Sequence, residues 1–168
     1  MSSAKAHIVP PGETRGPRKG RFDIFGEQVW VKLGHADTHG GYAIIESVTP
    51  PQGGPPVHRH SREDESFYVI EGDFVFEIDG QQFPAGSGCT LFAPRGTAHT
   101  FQNIGKTPGR LLVIVQPAGL DVFFEEVAQV ASGMAHPDPG IIVPLFQKYG
   151  LELLGPPLGA RTAAKVAS

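Results

Sequence analysis

The chain has 168 residues, a formal net charge of −3 and charged side chains at only 18% of its positions. That length suits one domain with a sizeable core, and the mild acidity, with no basic patch, gives no footprint for nucleic acid. No run of about 18 apolar residues occurs and the N-terminus has no signal-peptide-like apolar stretch, so neither membrane insertion nor export is expected. Cys89 is the only cysteine and cannot close an internal disulfide, which favours a reducing, cytoplasmic compartment. The expectation for its side chain is a small buried apolar group.

Residues 1–21 are rich in Pro, Gly and basic side chains and read as a flexible arm or one that crosses onto a partner subunit. Residues 22–118 are short apolar or alternating runs broken by turn signals. Strands are expected at 28–33, 42–48, 66–70, 74–78, 90–93, 100–103 and 111–115, with Val29 and Val31 on one face and Trp30 on the other. Asp79-Gly80 is a strong two-residue hairpin signal, because both turn positions need positive φ. Glu71-Gly72-Asp73 and Pro94-Arg95-Gly96 mark further turns. Many short strands at similar spacing, without internal repeat, indicate one all-β sandwich or barrel. The period changes over 119–155. A helix capped by Asp121 is expected to run to about Ser132, and a short one from Pro144 to Tyr149 stops at Gly150. A start at Asp138-Pro139 is disfavoured, since it leaves Pro144 inside the helix. These helices pack outside the barrel, or Phe123 and Phe124 cover its mouth. Residues 156–168 read as a tail.

Two stretches carry chemistry. His58 and His60 are two apart, so an extended chain aims both at one point, and Glu65 follows after four intervening residues. His99 lies within a second frame, Gly88-x5-Pro94-x-Gly96-x2-His99-x3-Asn103. Three imidazoles and a carboxylate complete a ligand set for one divalent transition ion, Fe, Mn, Ni, Co, Cu or Zn. Glu63 and Asp64 compete with Glu65, but its parity with Phe67 and Val69 and its spacing to Gly72 favour Glu65; the other two are expected to face water. Arg95 is expected to be solvated, and Asn103 to satisfy backbone groups at a strand end. His7, His35, His39 and His136 read as structural.

These motifs resemble the two motifs of the cupin superfamily. The second matches at Gly88, Pro94, Gly96, His99 and Asn103, and the first at His58, His60, Glu65 and Gly72; Gln52 stands where the family's leading glycine would be, with Gly53 and Gly54 next. The 119–155 segment resembles the tail of small single-domain cupins of the quercetin-dioxygenase-like kind. The resemblance implies a double-stranded jelly-roll barrel, a metal at His58, His60, Glu65 and His99, and a homodimer.

Four protein ligands on a six-coordinate ion leave two open positions. Phe67, Phe76, Phe101, Phe123 and Phe124 are candidates for a dry, flat-walled pocket, and Glu65 is a candidate general base as well as a ligand. The first expectation is a dioxygenase acting on a small enolic or phenolic aromatic compound. A redox-neutral isomerase, lyase or cyclase and a non-catalytic ligand-binding barrel remain open, and the native metal discriminates among them.

Overall fold

Period-two burial organises most of the chain into two antiparallel sheets, in a computed structural model that describes residues 6, 8–14, 21–131 and 138–161. The strands are β1 Phe22–Ile24, β2 Glu27–Leu33, β3 Ala43–Thr49, β4 Pro56–His60, β5 Asp64–Glu71, β6 Asp73–Ile78, β7 Gln81–Gly86, β8 Thr90–Ala93, β9 His99–Asn103, β10 Gly109–Gln116 and β11 Leu151–Pro157. One sheet has the order β1-β2-β3-β10-β5-β8, the other β11-β4-β9-β6-β7. The strands that alternate in sequence alternate in burial: Ala43, Ile45, Ser47 and Thr49 of β3 and Leu111, Val113 and Val115 of β10 point inward. This is the jelly-roll architecture expected of the sequence.

The core centres on four phenylalanines from both sheets. Phe67, Phe74, Phe76 and Phe101 pack tilted or edge-to-face with ring centroids 5.1 to 6.1 Å apart. Such pairs add roughly 0.5–1.5 kcal/mol each beyond the area they bury. β9 departs from alternation, since all five of its residues are buried. Its inner side carries His99, Phe101 and Asn103. On the other side Thr100 Oγ1 donates to Pro55 O at 2.7 Å and Gln102 Nε2 to Gln52 Oε1 at 2.8 Å. Asn103 does satisfy backbone: its Nδ2 donates to Thr49 O and Thr107 O, both at 2.9 Å. The Asp79-Gly80 hairpin forms between β6 and β7 with φ of 47° and 80°, the positive pair that a tight turn requires.

Four strands lie outside those expected from the sequence. β1 is short, β4 is half polar, β7 is an exposed edge containing Pro84, and β11 carries Gly155, Pro156 and Pro157. Proline is tolerated at the last two because both are sheet edges. β11 pairs with β4, so the helical 119–155 segment ends as a barrel strand. Residues 156–161 are no loose tail either, for Leu158 is buried and Arg161 Nη2 meets Glu77 Oε1 at 2.8 Å.

The helices among the described residues include α1 His35–Thr38, α2 Leu120–Ala131 and α3 Pro139–Lys148, and residues 158–161 are helical after β11. Asp121 does not cap α2. It lies in the first turn, where its Oδ2 accepts from His35 N at 2.7 Å, and Gly119 O receives the first amides of the helix. α3 starts where the sequence reading disfavoured it, with Asp138 Oδ1 accepting from Gly140 N at 2.8 Å and Pro144 inside. An interior proline costs about 3 kcal/mol. Burying Ile142 and Phe146 returns about 1.5–3 kcal/mol each, enough to keep the helix intact. Phe146 packs edge-on to Phe123 with centroids 4.9 Å apart, and Lys148 joins Glu126 at 2.7 Å, so α2 and α3 form one unit. Ser132 and His136 lie outside the described residues, as do 1–5, 7 and 15–20 of the N-terminal segment. Where that segment is described, Lys32 Nζ donates to Pro10 O and Glu13 O. Among the described residues no helix is long and apolar enough to cross a membrane. Cys89 is exposed, not buried, because it follows the Gly88 turn at the rim of β8.

The loop where Gln52 replaces glycine is set by its neighbours. Gln52 takes φ +63°, while a Cβ on Gly54 would sit 1.9 Å from Phe101 O. No side chain fits there without moving β9. Gly54→Ala is therefore expected to destabilise the protein by about 3 kcal/mol or more, read as a drop of many degrees in Tm. Gly80→Ala, which meets nothing within 4 Å, carries only its backbone strain and falls well short of that.

Candidate metal centre

β4, β9 and β5 converge at one end of the barrel. His58 and His99 are direct cross-strand partners, and His60 shares the face of His58. Glu65 comes from β5 in the opposite sheet, where it pairs with Ala93 and Val115. The four side chains offer ligand atoms that all lie within 4.8 Å of one another. The imidazole centroids are 4.5 to 5.4 Å apart. Glu65 Oε2 lies 2.8 Å from His99 Nε2 and 3.4 Å from His60 Nε2.

The other ring nitrogens face outward onto acceptors. His58 Nδ1 lies 2.8 Å from Pro56 O, His99 Nδ1 3.1 Å from Thr97 O, and His60 Nδ1 3.3 Å from Glu63 Oε2. A carbonyl or carboxylate oxygen only accepts, so Nδ1 carries the proton; Nε2 of His58 and His60 presents a lone pair inward, while Nε2 of His99 donates to Glu65 Oε2. Among the described residues, His60 Nε2 is a buried nitrogen with no hydrogen-bond partner. An orphaned buried acceptor beside a carboxylate and two further imidazoles fits a divalent transition ion.

One anchor of this arrangement runs against the sequence reading. Glu63 does not face water; it is buried and holds His60. Asp64 and Arg95 do lie at the surface, but as a pair. Arg95 N, Nε and Nη2 all donate to the Asp64 carboxylate at 2.9, 3.1 and 2.7 Å. Those bonds hold the Asp64 carboxyl down at about 2. The clamp ties the 94–96 turn, which leads to His99, onto the residue beside Glu65, and Gly96 N donates to His60 O at 2.7 Å. His35 and His39 belong to the α1 turn and lie apart from the cluster; His7 and His136 are outside the described residues.

Electrostatics keep the cluster ready for a cation. Burial would push Glu65 up, but His60, His99 and His58 override it and hold the carboxyl at about 2. Burial and its two imidazole neighbours push His58 down to about 3, so it stays neutral. Burial opposes a charge on His99 too, yet the Glu65 carboxylate prevails and raises its pKa. Without metal, therefore, the ion-pair partner of Glu65 is a proton on His99.

A cavity of about 860 Å³, counting the solvent at its mouth, opens onto this cluster and is lined by His58, His60 and Glu65. Phe67, Phe101, Phe123 and Phe124 form part of its wall. Phe76 does not reach it, being packed behind Phe67 and Phe101 in the core. The α2 phenylalanines thus line the cavity, joined by Phe146 of α3 and Leu151 of β11. Glu27 and Ser47 also line the cavity. The sequence carried a signal for Glu27, a carboxylate in phase with Val29 and Val31 on the buried face of β2.

Comparison with known proteins agrees with the geometry. The Cupin domain family model matches residues 45–115. The polyketide synthase CurC of Streptomyces cyaneus is 32% identical over 117 residues, covering 70% of this chain and 73% of that protein. Quercetin 2,3-dioxygenase of Bacillus subtilis is 24% identical over 60% of this chain and 30% of its own length. Other curated relatives match over 50 to 60% of their length, so the chain spans only about half of them. An RmlC-like cupin from Shewanella frigidimarina superposes with a TM-score of 0.57 at 22% identity, over 70% of this chain and 96% of that one. The chain belongs to the cupin family.

His58→Ala and His99→Ala are each expected to abolish stoichiometric metal in elemental analysis and to remove any metal-dependent rise in Tm, while His39→Ala does neither. Glu63→Gln keeps the fold but weakens metal affinity by about 10- to 100-fold, as lost support of a ligating imidazole does.

Glu27 generates a separate expectation. Burial lifts its carboxyl from an ordinary 4.5 to about 7 against the hydrogen bond from Thr49. The other titratable groups lining the cavity are His58, His60 and Glu65, and Glu46 on the neighbouring strand turns outward to Lys32 and Arg110. Folded protein thus binds more protons than unfolded between those two values, so this contribution is full below 4.5 and is lost as pH rises through 7. The Tm of Glu27→Gln relative to the parent should therefore increase steadily across that range.

Proposed function

We propose that this cupin is a metal-dependent enzyme acting on an enolic or phenolic aromatic compound of the polyketide kind, by ring closure without net oxidation. The observation that carries the reading is the metal-competent cluster at the end of an apolar cavity walled by phenylalanines. An ion bound there supplies Lewis acidity that lowers the pKa of an oxygen reaching it. The chain does the rest: Phe67, Phe101, Phe123 and Phe124 exclude water and orient flat rings, and the Nδ1 acceptors keep the imidazoles in register. Glu65, held near 2, is a weak base. Its assigned role is that of ligand, not proton acceptor.

Support for the substrate class comes from CurC, whose match spans most of both chains. Ring closure of a poly-carbonyl chain needs an enolate and no oxidant. The second reading is the dioxygenase expected from sequence, favoured by the Bacillus subtilis relative, which covers less of either protein. We also propose a two-fold dimer, built on the outer face of the six-stranded sheet, where Tyr68, Ile70, Phe92 and Ile114 are exposed together. A monomer in light scattering at micromolar concentration would remove the dimer.

Oxygen separates the two chemistries. With protein carrying its native metal and a panel of phenolic and poly-carbonyl compounds, conversion is expected to proceed equally in air and under argon. Conversion that stops under argon, with oxygen uptake in air, establishes the dioxygenase instead. Glu65→Gln is expected to lose metal and turnover together, by about tenfold or more; a variant with full metal and no turnover would return Glu65 to the role of base.

A further inference from the structure

The cavity contains a polar feature remote from the metal cluster. Glu27 on β2 and Ser47 on β3 both line it, among Ile24, Val29, Ile45 and Val113. Ser47 is only 5% exposed, and its Oγ has no hydrogen-bond partner among the described residues. Glu27 accepts a long bond, 3.4 Å, from Thr49 Oγ1 onto one of its two oxygens. A buried hydroxyl left unpaired costs about 1–3 kcal/mol. Both side chains occupy inward positions that the rest of β2 and β3 fill mainly with Val, Ile and Ala. Packing alone gives no reason for a carboxyl and a hydroxyl there, whereas a ligand oxygen would satisfy both.

We propose that Glu27 and Ser47 form a second polar pole of the cavity, which holds a hydroxyl or carbonyl oxygen of an aromatic ligand whose opposite end reaches the His58, His60, Glu65 and His99 cluster. The inference rests on the reading that the metal-loaded cluster takes an enolic or phenolic oxygen. The sheet order β2-β3-β10-β5 puts Glu27 three strands from Glu65, and the strand registers set it further along the sheet, level with Glu71 and not with Glu65. The two carboxylates therefore cannot share one ion, and a two-carbon acid cannot bridge them. A molecule of linked or fused rings with oxygens at both ends can. Near neutral pH a large share of Glu27 is protonated, so it donates to a carbonyl, while Ser47 donates or accepts.

Two flavonols test this. 3-Hydroxyflavone carries the hydroxy-keto unit alone, whereas quercetin adds hydroxyls on both of its outer rings. Titrated by fluorescence into protein loaded with zinc, which is redox-silent, quercetin is expected to bind about tenfold tighter. Ser47→Ala and Glu27→Leu should each weaken quercetin by roughly five- to tenfold, the worth of one buried hydrogen bond. Zinc content and 3-hydroxyflavone affinity should not change, and Ser47→Ala should keep or raise its Tm. Equal affinity of the two flavonols for the parent, or unaltered quercetin binding by Ser47→Ala, overturns the second pole alone. A variant that loses both compounds in parallel also overturns it, marking the residue as wall. If neither compound binds the zinc-loaded parent, the reading of the cluster fails and the pole falls with it.

Discussion

Three imidazoles each give their Nδ1 proton to an oxygen close in sequence, and everything at the site follows from that. Pro56 O, Thr97 O and the Glu63 carboxylate lie two or three residues from the rings they fix. With those protons committed outward, the Nε2 atoms of His58 and His60 are bare, while that of His99 meets the Glu65 carboxylate. Because the histidines belong to one sheet and Glu65 to the other, the cluster joins the two halves of the barrel. A cation placed there would be held by both sheets at once, so metal binding and barrel closure are coupled.

The clamp between Asp64 and Arg95 shows how the chain keeps this geometry. It is surface-exposed, and a surface ion pair by itself contributes little. Its geometry matters more than its energy. Three donors on one carboxylate fix the 94–96 turn relative to β5 and, through it, the spacing of His99 and Glu65. Adjacent carboxylates at 63, 64 and 65 thus take three roles: one anchors a ring, one anchors a turn, and one faces the cluster.

The cavity joins the metal-competent end to elements added late in the chain. Phe123 and Phe124 of α2, Phe146 of α3 and Leu151 of β11 line it beside residues of the earlier strands. That is why α3 persists despite Pro144, since its buried face is shared with the cavity. The same wall raises the polar cost of Glu27 and Ser47, which makes the remote pole chemically meaningful.

Much of this was determined by sequence alone. Alternation reports which face of a strand is buried, so the strands carrying Val29, Ile45, Phe67 and Val113 were legible, as was the Asp79-Gly80 hairpin. The ligand set was legible because His58 and His60 share a face through local spacing, and because Gly72, Pro94 and Gly96 punctuate the motif around Glu65 and His99. What tertiary structure decided depends on neighbours distant along the chain. Glu63 turns inward only because His60 offers a proton there. β11 becomes a strand, despite Gly155 and two prolines, because β4 presents a free edge. Phe76 leaves the cavity wall to Phe67 and Phe101, since their rings stand in front of it. Period and spacing describe a segment's own faces; which surface meets each face is settled only when loops close and remote strands pair.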